Sequence, residues 1–539
     1  MTKTLYNSVI QLQYHPLTSA TDITMAKYKP YSYAQGAFIP VHFDHQIQPG
    51  TFEFTLSHLI DNELDLTVFD SRFNNDETGA PAYDPKILLK VVLFAYSRGI
   101  TSSRKIARAC EENVVFMALS ANTRPHFTTI ADFISSLDKE MVHLFRNVLL
   151  VCDEMGLIGK EMFAIDGCKL PSNASKEWSG TKADFEKKAV KMERAVERII
   201  SQHQRTDVSG TEREMKKRDA RYTETLKKQI KKVRAWLDNN DDKPGKTGKP
   251  KKSNITDNDS AKMKTSHGVI QGYDGVATVD GKRQIVVHAE AFGEAQEHDL
   301  LRPMVEGTEK NFSVIGDPEV FADTRLTADS GFHTEKNMGM LAEKRIDGYV
   351  ADNRFRKRDP RFLDYERYKK RHRKERAQIE GRSGLFKVED FTFPADLSHC
   401  ICPAGKRLYR SGVNANTKGF LSARFKGPKS TCLPCSLRSQ CLMKPDKTEV
   451  RQVAYFHGRT EEKKNTFTEK MKRKIDSAVG RYLYSKRLGT VEPVFANICS
   501  TLGLNRFSLR GKVKVNSQWQ MFCLVHNLKK IHQFGPGYA

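Results

Sequence analysis

Three acidic residues, far apart in the chain, combine the side-chain type and the placement that a divalent-cation site needs. Asp166 ends the short apolar run of "MFAIDG" and Asp329 ends that of "RLTADSG", so both are expected at the ends of β-strands. Glu492 precedes Pro493, and because proline suits the first turn of a helix, the glutamate is expected at or near a helix N-terminus. Hard divalent cations prefer oxygen ligands, and phosphoryl oxygens can complete their shell. The three residues therefore predict metal-dependent chemistry on phosphoryl groups.

Plainer interpretations stand beside this one. Asp and Gly suit tight turns, so "DSG" at Asp329 predicts by itself no more than a turn. Glu461 and Glu462 are alternative helix carboxylates for the third position. His333, in "DSGFH", either contacts a ligand or packs, and packing is favoured because a lone histidine is usually structural.

A second group of ligand-type residues is the cluster of cysteines. Of the ten cysteines, five lie between residues 400 and 441. A C-x-C and a C-x-x-C pair, closed over a loop of about 30 residues, can supply the tetrahedral thiolate set that Zn²⁺ prefers. The spacing predicts a structural zinc held by Cys400, Cys402, Cys432 and Cys435, with Cys441 as the alternative ligand. Reduced, buried thiols are the competing interpretation.

The charge balance favours a polyanionic partner. The 539 residues include 89 Lys and Arg against 65 Asp and Glu, a net charge of +24. Nucleic acid is the polyanion that such a protein meets most often, although net charge alone determines partners only loosely. No run approaches the roughly 20 apolar residues of a membrane helix, and the start lacks the apolar core of a signal peptide. We therefore expect a cytoplasmic protein without a membrane span.

The elements around these residues change character along the chain. Between residues 51 and 150 apolar positions recur at helical spacing, with Pro85 in a first turn, Gly99 as a stop, Ser102 or Ser103 as a cap and Thr128 opening another helix. Short helices with a tight turn favour a helix-turn-helix DNA-binding unit. Its basic side chains would be Arg104, Lys105 and Arg108. A plain helical packing domain is an equal alternative.

Downstream, charged helices give way to strands. A segment rich in Lys, Glu and Arg predicts long solvated helices, and "DG" at 280–281 predicts a β-hairpin. The order predicts a three-stranded antiparallel meander, joined by a helix to a further strand that ends at Asp329. The basic, aromatic-containing stretch after Asp352 either binds phosphates and bases or is a solvated run.

These motifs together resemble one family. Asp166 in "AIDG", Asp329 in "TADSGF" and Glu492 in "VEPVF" are similar to the Asp, Asp, Glu set of the DDE transposases of bacterial insertion sequences. The helical "PAYDPKILLKVVLFAYSRGITSSRKIA" region and the Cys-rich insertion resemble one branch of that family. The resemblance implies an α/β protein with a ribonuclease H-like catalytic core, a mixed sheet flanked by helices, together with an all-α N-terminal domain and two insertions.

The family resemblance also implies a division of the chain. The expected segments are an extended arm (1–50), a helical DNA-binding domain (51–150), the first part of the core (160–345) with a charged helical insertion (180–250), a basic and Cys-rich insertion (346–480), and the last part of the core with the helix of Glu492 (481–535).

Residue roles follow from the same resemblance. Asp166, Asp329 and Glu492 would hold two Mg²⁺ or Mn²⁺ ions that activate a water or 3′-hydroxyl and stabilise the leaving oxygen. The family's signature of Tyr, two residues, Arg, three residues, Glu, six residues, Lys is matched at Tyr484 and Arg487, which would contact DNA. Four residues separate Arg487 from Glu492, whereas the signature has three. Cys499 stands at the position of the signature lysine, for which Lys512 and Lys514 are nearby substitutes.

The implied function is DNA transposition. The protein would bind the terminal inverted repeats of its element as double-stranded DNA, cleave there and join the 3′ ends to target DNA. A homodimer or larger synaptic assembly in the nucleoid is the expected form. The alternatives are a metal-dependent nuclease that only cleaves, a noncatalytic DNA-binding protein derived from a transposase, and a zinc-ribbon transcription regulator.

Overall fold

The computed structural model describes residues 40–72, 81–205, 212–245, 248, 250–266, 268–362, 385–417, 420–456 and 466–537. The described residues from Phe43 onward belong to one compact unit. Most of the arm predicted at 1–50 lies outside the described residues. Glu461, Glu462 and the middle of the basic stretch also lie outside them. No helix in these ranges is long and apolar enough to cross a membrane.

Helices dominate both ends of the chain, and strands dominate its middle. The helices are α1 (Phe52–His58), α2 (Pro85–Ser97), α3 (Ser103–Glu112), α4 (Val114–Leu119), α5 (Phe127–Ser136), α6 (Lys139–Glu154), α7 (Lys182–Arg205), α8 (Glu212–Asn239), α9 (Leu301–Val314), α10 (Glu335–Glu343), α11 (Phe355–Arg358), α12 (Lys429–Cys432), α13 (Arg438–Cys441), α14 (Phe467–Asp476), α15 (Ala478–Ala496) and α16 (Lys512–Phe534). The strands are β1 (Met162–Pro171), β2 (Ser179–Gly180), β3 (Ser253–Asn254), β4 (Ala261–Thr265), β5 (Gly268–Asp280), β6 (Val286–Phe292), β7 (Arg325–Ala328), β8 (Gly348–Val350), β9 (His399–Ile401), β10 (Arg407–Thr417), β11 (Phe420–Lys426) and β12 (Gln452–Phe456).

The N-terminal helices begin and end at the residues that local chemistry favours. Asp84 caps α2, Pro85 takes its first position, and Gly99 follows its end at φ +72°. Helix α5 begins one residue before the predicted Thr128, because the ring of His126 accepts a hydrogen bond from the backbone N–H of Thr128. The helical expectation for this region is confirmed.

The central sheet has the order β6-β5-β1-β7-β8. Strand β4 pairs with the first residues of β5, and β6 pairs with the later ones. Strands β1, β5 and β6 form the predicted antiparallel meander, and β7 and β8 run parallel to β1. Helices pack on both faces of this mixed sheet, with α9 on one and α15 and α16 on the other. The fold is α/β and is consistent with a ribonuclease H-like core.

Helix α16 joins the sheet to the N-terminal helices in one hydrophobic core. Its polar residues are buried because they complete the hydrogen bonding of the outer edge of β6. Asn527 accepts from the Val286 N–H and donates to its carbonyl, both at 2.8 Å. Gln520 donates to the Ala289 carbonyl, 3.1 Å away. An open strand edge must have its backbone groups satisfied, and here helix side chains replace a further strand.

Two insertions interrupt the core. After β1, helices α7 and α8 pair around a small apolar cluster that includes Phe185 and Trp236, and Arg234 bridges the helices through Glu186 and Glu193. The second insertion carries a separate four-stranded antiparallel sheet in the order β12-β11-β10-β9. We call the residues described between 385 and 456 the Cys-rich module.

Replacing Asn527 with Ala should lower the free energy of unfolding by about 2–4 kcal/mol, because it leaves two buried backbone groups of Val286 without partners. Chemical denaturation monitored by circular dichroism measures the change. The control is Asn239→Ala at the exposed end of α8, where the amide bonds only to the Ala235 carbonyl and the expected change is within about 0.5 kcal/mol. Equal effects of the two substitutions would contradict the role of Asn527.

Candidate active site

Asp166 and Asp329 are brought together by the register of two parallel strands. The ladder between β1 and β7 ends at the pair Ile165 and Ala328, so the next residue of each strand is one of the aspartates. Asp329 then caps a short turn by accepting a hydrogen bond from the Gly331 N–H at 3.3 Å. The two carboxylates therefore stand side by side at one edge of the parallel part of the sheet.

The strand that carries Asp166 does not end there, contrary to the sequence expectation. β1 continues to Pro171 because β5 is long enough to pair with it from Phe163 onward. Asp166 lies at the middle of β1 and at the end of its ladder with β7 only. The antiparallel neighbour, which sequence patterns did not align with β1, causes the difference.

One guanidinium bridges the two carboxylates. Arg487, on α15, places Nη1 2.5 Å from Oδ2 of Asp166 and Nη2 3.1 Å from Oδ1 of Asp329. Its side chain is 8% exposed, while those of the two aspartates are 22% and 35% exposed. The ring of Tyr484, one turn earlier, lies 5.7 Å from the guanidinium carbon. Two residues of the sequence signature therefore meet the aspartates.

Burial and charge act in opposite directions at this cluster. Burial raises the pKa of Asp166 to about 6, and neighbouring Arg487 limits that rise. For Arg487 burial lowers the pKa, but the nearby charges of Asp166, Tyr484 and Asp329 outweigh it and the net shift is upward. Burial also raises the pKa of Tyr484 to about 12. The guanidinium thus stays charged and compensates carboxylates that are partly removed from water.

Glu492 lies on the same helix but not in the cluster. It is exposed in the last turn of α15, and Pro493 is inside that helix, where the sequence predicted a helix start. A proline lacks the N–H that would bond to the carbonyl four residues earlier. The carbonyl of Gly489 instead accepts a hydrogen bond from the Gln284 side chain at 3.0 Å. The helix therefore continues through the proline, and Glu492 stands near its C-terminal end.

The exposed face of α15 that carries Glu492 also borders, nearer the start of the helix, a cavity beside Asp329. Ser485 and Leu488 precede Glu492 by seven and four residues, spacings that place all three on one side of the helix. Both line a cavity of about 450 Å³ that opens beside Asp329. The described chain nevertheless contains no group of three or more His, Cys, Asp or Glu side chains arranged to hold a metal ion.

The cavity beside Asp329 is rich in cations and aromatic rings. Besides Arg487, it is lined by Arg356, Arg361 and Arg481, with Asp359 among them. Asp359 pairs with Arg361 at 2.8 Å. The guanidinium of Arg356 lies 5.6 Å from the ring of Phe355. Such a surface suits phosphate groups and exposed bases.

Sequence analysis missed a second charged group beside the first. Lys169 pairs with Glu297 at 3.0 Å, and Asp274 is fully buried opposite Lys169 in the β1–β5 register. Burial, followed by the nearby charge of Glu297, raises the pKa of Asp274 to about 7. A Cβ at Gly331 would lie 2.1 Å from Glu297 Oε2, so the glycine after Asp329 makes room for that carboxylate. No sequence pattern links these residues, because strand pairing sets Lys169 opposite Asp274 and the turn before α9 brings Glu297 to them.

The remaining residues singled out from the sequence lie elsewhere. Arg104, Lys105 and Arg108 are exposed on α3, which packs against α2, α4 and α5. Arg108 pairs with Glu112 at 2.7 Å. His333 is half-buried and its Nδ1 lies 2.9 Å from the Val350 carbonyl oxygen.

Cys499 lies near the strand that carries Asp166. It is half-buried in the π-helical turn Asn497–Thr501 after α15, beside Cys168 of β1. Both thiols belong to the surroundings of the main hydrophobic core. The position of the signature lysine is therefore close to the strand of Asp166 and holds no positive charge.

The clustered cysteines divide into two sets. Cys402, Cys432, Cys435 and Cys441 line one small cavity, whereas Cys400 is fully buried in the apolar core of the Cys-rich module. The alternative ligand Cys441 therefore joins three of the four predicted ligands, and Cys400 stands apart because it belongs to β9.

The two carboxylates meet the requirements of a divalent-cation site only in part. Asp166 and Asp329 supply adjacent oxygen donors of the kind that Mg²⁺ takes. Arg487 now contacts one oxygen of each, and Glu492 is not brought to them. A cation would therefore share or replace the guanidinium as the compensating charge.

Comparisons with known proteins find two family models. The "Transposase DDE domain" matches residues 401–532, and the "Transposase domain (DUF772)" matches residues 41–136. The first range includes Arg487 and Glu492, and the second includes α1–α5, while Asp166 and Asp329 lie between the two. No curated protein and no solved structure gives a significant match.

Replacing Arg487 with Met should lower the free energy of unfolding by about 2–4 kcal/mol, because two partly buried carboxylates lose their compensating charge. The loss at Asp329 is the smaller share, since that side chain is 35% exposed. Adding Asp166→Asn to the same chain should restore part of the stability, and denaturant unfolding of the double-mutant cycle measures the coupling. Arg356→Met, in the same cavity but exposed, is the matched control. Additive effects of Arg487→Met and Asp166→Asn would contradict the bridge.

Proposed function

We propose that the chain, whose two family matches support a DDE transposase family, is a transposase that cleaves DNA at the inverted repeats of an insertion sequence and transfers the strands. The observation that carries the proposal is the pair of carboxylates, Asp166 and Asp329, held side by side by Arg487. The matched DDE segment contains Arg487 itself. Three distant parts of the chain therefore contribute to one charged site.

Each residue of the site has a defined task under this proposal. Asp166 and Asp329, with Glu492 added by a movement of its side chain or helix end, would hold Mg²⁺ or Mn²⁺. When bound, such ions activate the attacking oxygen and stabilise the leaving one. Arg487 and Tyr484 would contact the DNA strand, and Arg487 would transfer from the carboxylates to a phosphate as the cations arrive.

The rest of the DNA would be bound by basic surfaces outside the site. The cavity beside Asp329, with Arg356 and Arg481 in its wall, would hold the strand next to the scissile bond. Helix α3, with Arg104 and Lys105 exposed, would contact double-stranded DNA of the inverted repeats. A dimer or larger assembly would hold both element ends, and it would act at the nucleoid in the cytoplasm.

The first test of the carboxylates uses strand cleavage and strand transfer on DNA that carries the ends of the element, with Mg²⁺. Asp166→Asn and Asp329→Asn should each reduce both reactions by about 100-fold or more, because each removes a charged oxygen ligand. Binding of the same DNA should remain. The control is Asp323→Asn, an exposed aspartate just before β7, which should react like the wild type.

The wild-type reactions also separate the alternatives. EDTA should stop cleavage and joining, and added Mg²⁺ should restore them. Cleavage without joining would favour a nuclease, and DNA binding without either reaction would favour a noncatalytic protein. A wild type that neither binds nor cuts the ends would overturn the proposal.

Glu492→Gln tests the third carboxylate. The substitution should reduce cleavage by about 100-fold or more while leaving the free energy of unfolding within about 0.5 kcal/mol, because Glu492 is exposed. Glu343→Gln, at the exposed end of α10, serves as the control. Full activity of Glu492→Gln would remove this residue from the site and direct attention to Glu297.

A further inference from the structure

The Cys-rich module has a core that is small for a separate folding unit. In its described residues the buried apolar cluster consists of Phe391, Cys400, Leu408, Ala423, Phe425 and Val453. Small units of this kind usually require a disulfide, a metal or another support to be stable. The cysteines of the module are all free thiols.

Four of these thiols converge on one place. Cys402, Cys432, Cys435 and Cys441 line a cavity of about 30 Å³, which is room for a single water-sized occupant. They come from a turn after β9, the end of α12, the turn that follows it, and the end of α13. A bound cation would compensate the charge of thiolates brought this close together.

The turns that carry the thiols are held by two arginines. Arg438 donates to the carbonyls of Cys432 at 2.9 Å and Pro445 at 2.7 Å, among others. Arg451 donates to the carbonyl of Cys441 at 3.0 Å and to that of Phe386 at 3.1 Å. These bonds stabilise the backbone on both sides of the cavity. As they stand the four thiols are not arranged to hold an ion, so binding requires them to reorient.

A glycine is required beside one of the thiols. A Cβ at Gly427 would lie 2.4 Å from the sulfur of Cys432, so any side chain at this position would require the thiol to turn away. The turn at Cys402 is equally tight, since its N–H donates to the Lys406 carbonyl at 2.9 Å and Gly405, at φ +71°, donates back to the Cys402 carbonyl.

Cys400 is in a different environment. It is fully buried in β9, pairs with Leu408 of β10 and packs among the apolar side chains of the module. It does not line the cavity that the other four thiols share. The C-x-C pair of the sequence is thus divided between the core and the cavity.

We propose that Cys402, Cys432, Cys435 and Cys441 bind one structural Zn²⁺ and that Cys400 is a core residue. Zinc bound by four thiolates has no open position, so it would stabilise the module and take no part in the chemistry at Asp166 and Asp329. Binding releases the thiol protons and changes no oxidation state. The proposal does not depend on transposase activity.

Metal content of the full-length protein tests the proposal. The chain, purified without a polyhistidine tag or chelator, should contain one zinc per chain by plasma mass spectrometry. Replacing the zinc with Co²⁺ should produce thiolate-to-cobalt charge-transfer absorption and the visible bands of a tetrahedral site. Both measurements are independent of DNA and of catalysis.

Matched cysteine substitutions identify the ligands. Cys441→Ser should reduce bound zinc at least about tenfold, whereas Cys400→Ala should retain one zinc per chain. If Cys441→Ser fails to fold, Cys441→His supplies a replacement ligand and should retain the metal with an altered Co²⁺ spectrum. Loss of zinc from Cys400→Ala with retention in Cys441→Ser would overturn the ligand set, and a wild type that binds neither zinc nor Co²⁺ would overturn the site.

Discussion

Two carboxylates placed side by side at the end of a parallel ladder repel each other, and the sheet and α15 are arranged around the compensation of that repulsion. The register of β1 and β7 makes the two aspartates neighbours. Partial burial strengthens their repulsion and raises the pKa of Asp166 to about 6. Arg487 supplies the opposite charge, and α15 must therefore cross the sheet at this point.

The path of α15 explains other features of the site. The helix crosses from β8 over β7 to β1, and it continues through Pro493 because Gln284 satisfies the carbonyl that the proline leaves free. Glu492 lies one turn beyond Leu488 on this continuous helix and is exposed. The same helix therefore carries the charge that compensates the aspartates and the glutamate singled out from the sequence.

The C-terminal helix α16 packs against the sheet beside α15 and stabilises this arrangement. Its indole at Trp519 donates to the Val276 carbonyl of β5 at 3.0 Å, and Gly275 makes room for that ring. Its amides satisfy the outer edge of β6, while its other side packs on the N-terminal helices. The segments matched by the two transposase family models thus meet in one core, to which strands β1 and β7 also contribute.

The sequence by itself determined the residue types of the site, the helical N-terminal region, the antiparallel meander and the Cys-rich module, because these depend on periodicity, turn residues and spacing within short stretches. Tertiary structure decided the rest. Strand pairing extended β1 past Asp166 and set Lys169 opposite Asp274, while the turn before α9 brought Glu297 to them. A side chain from the turn between β5 and β6 allowed Pro493 inside α15. Burial separated Cys400 from the thiols that line the cavity, since of the two cysteines in the C-x-C pair only the packed sheet determines which one is in the core.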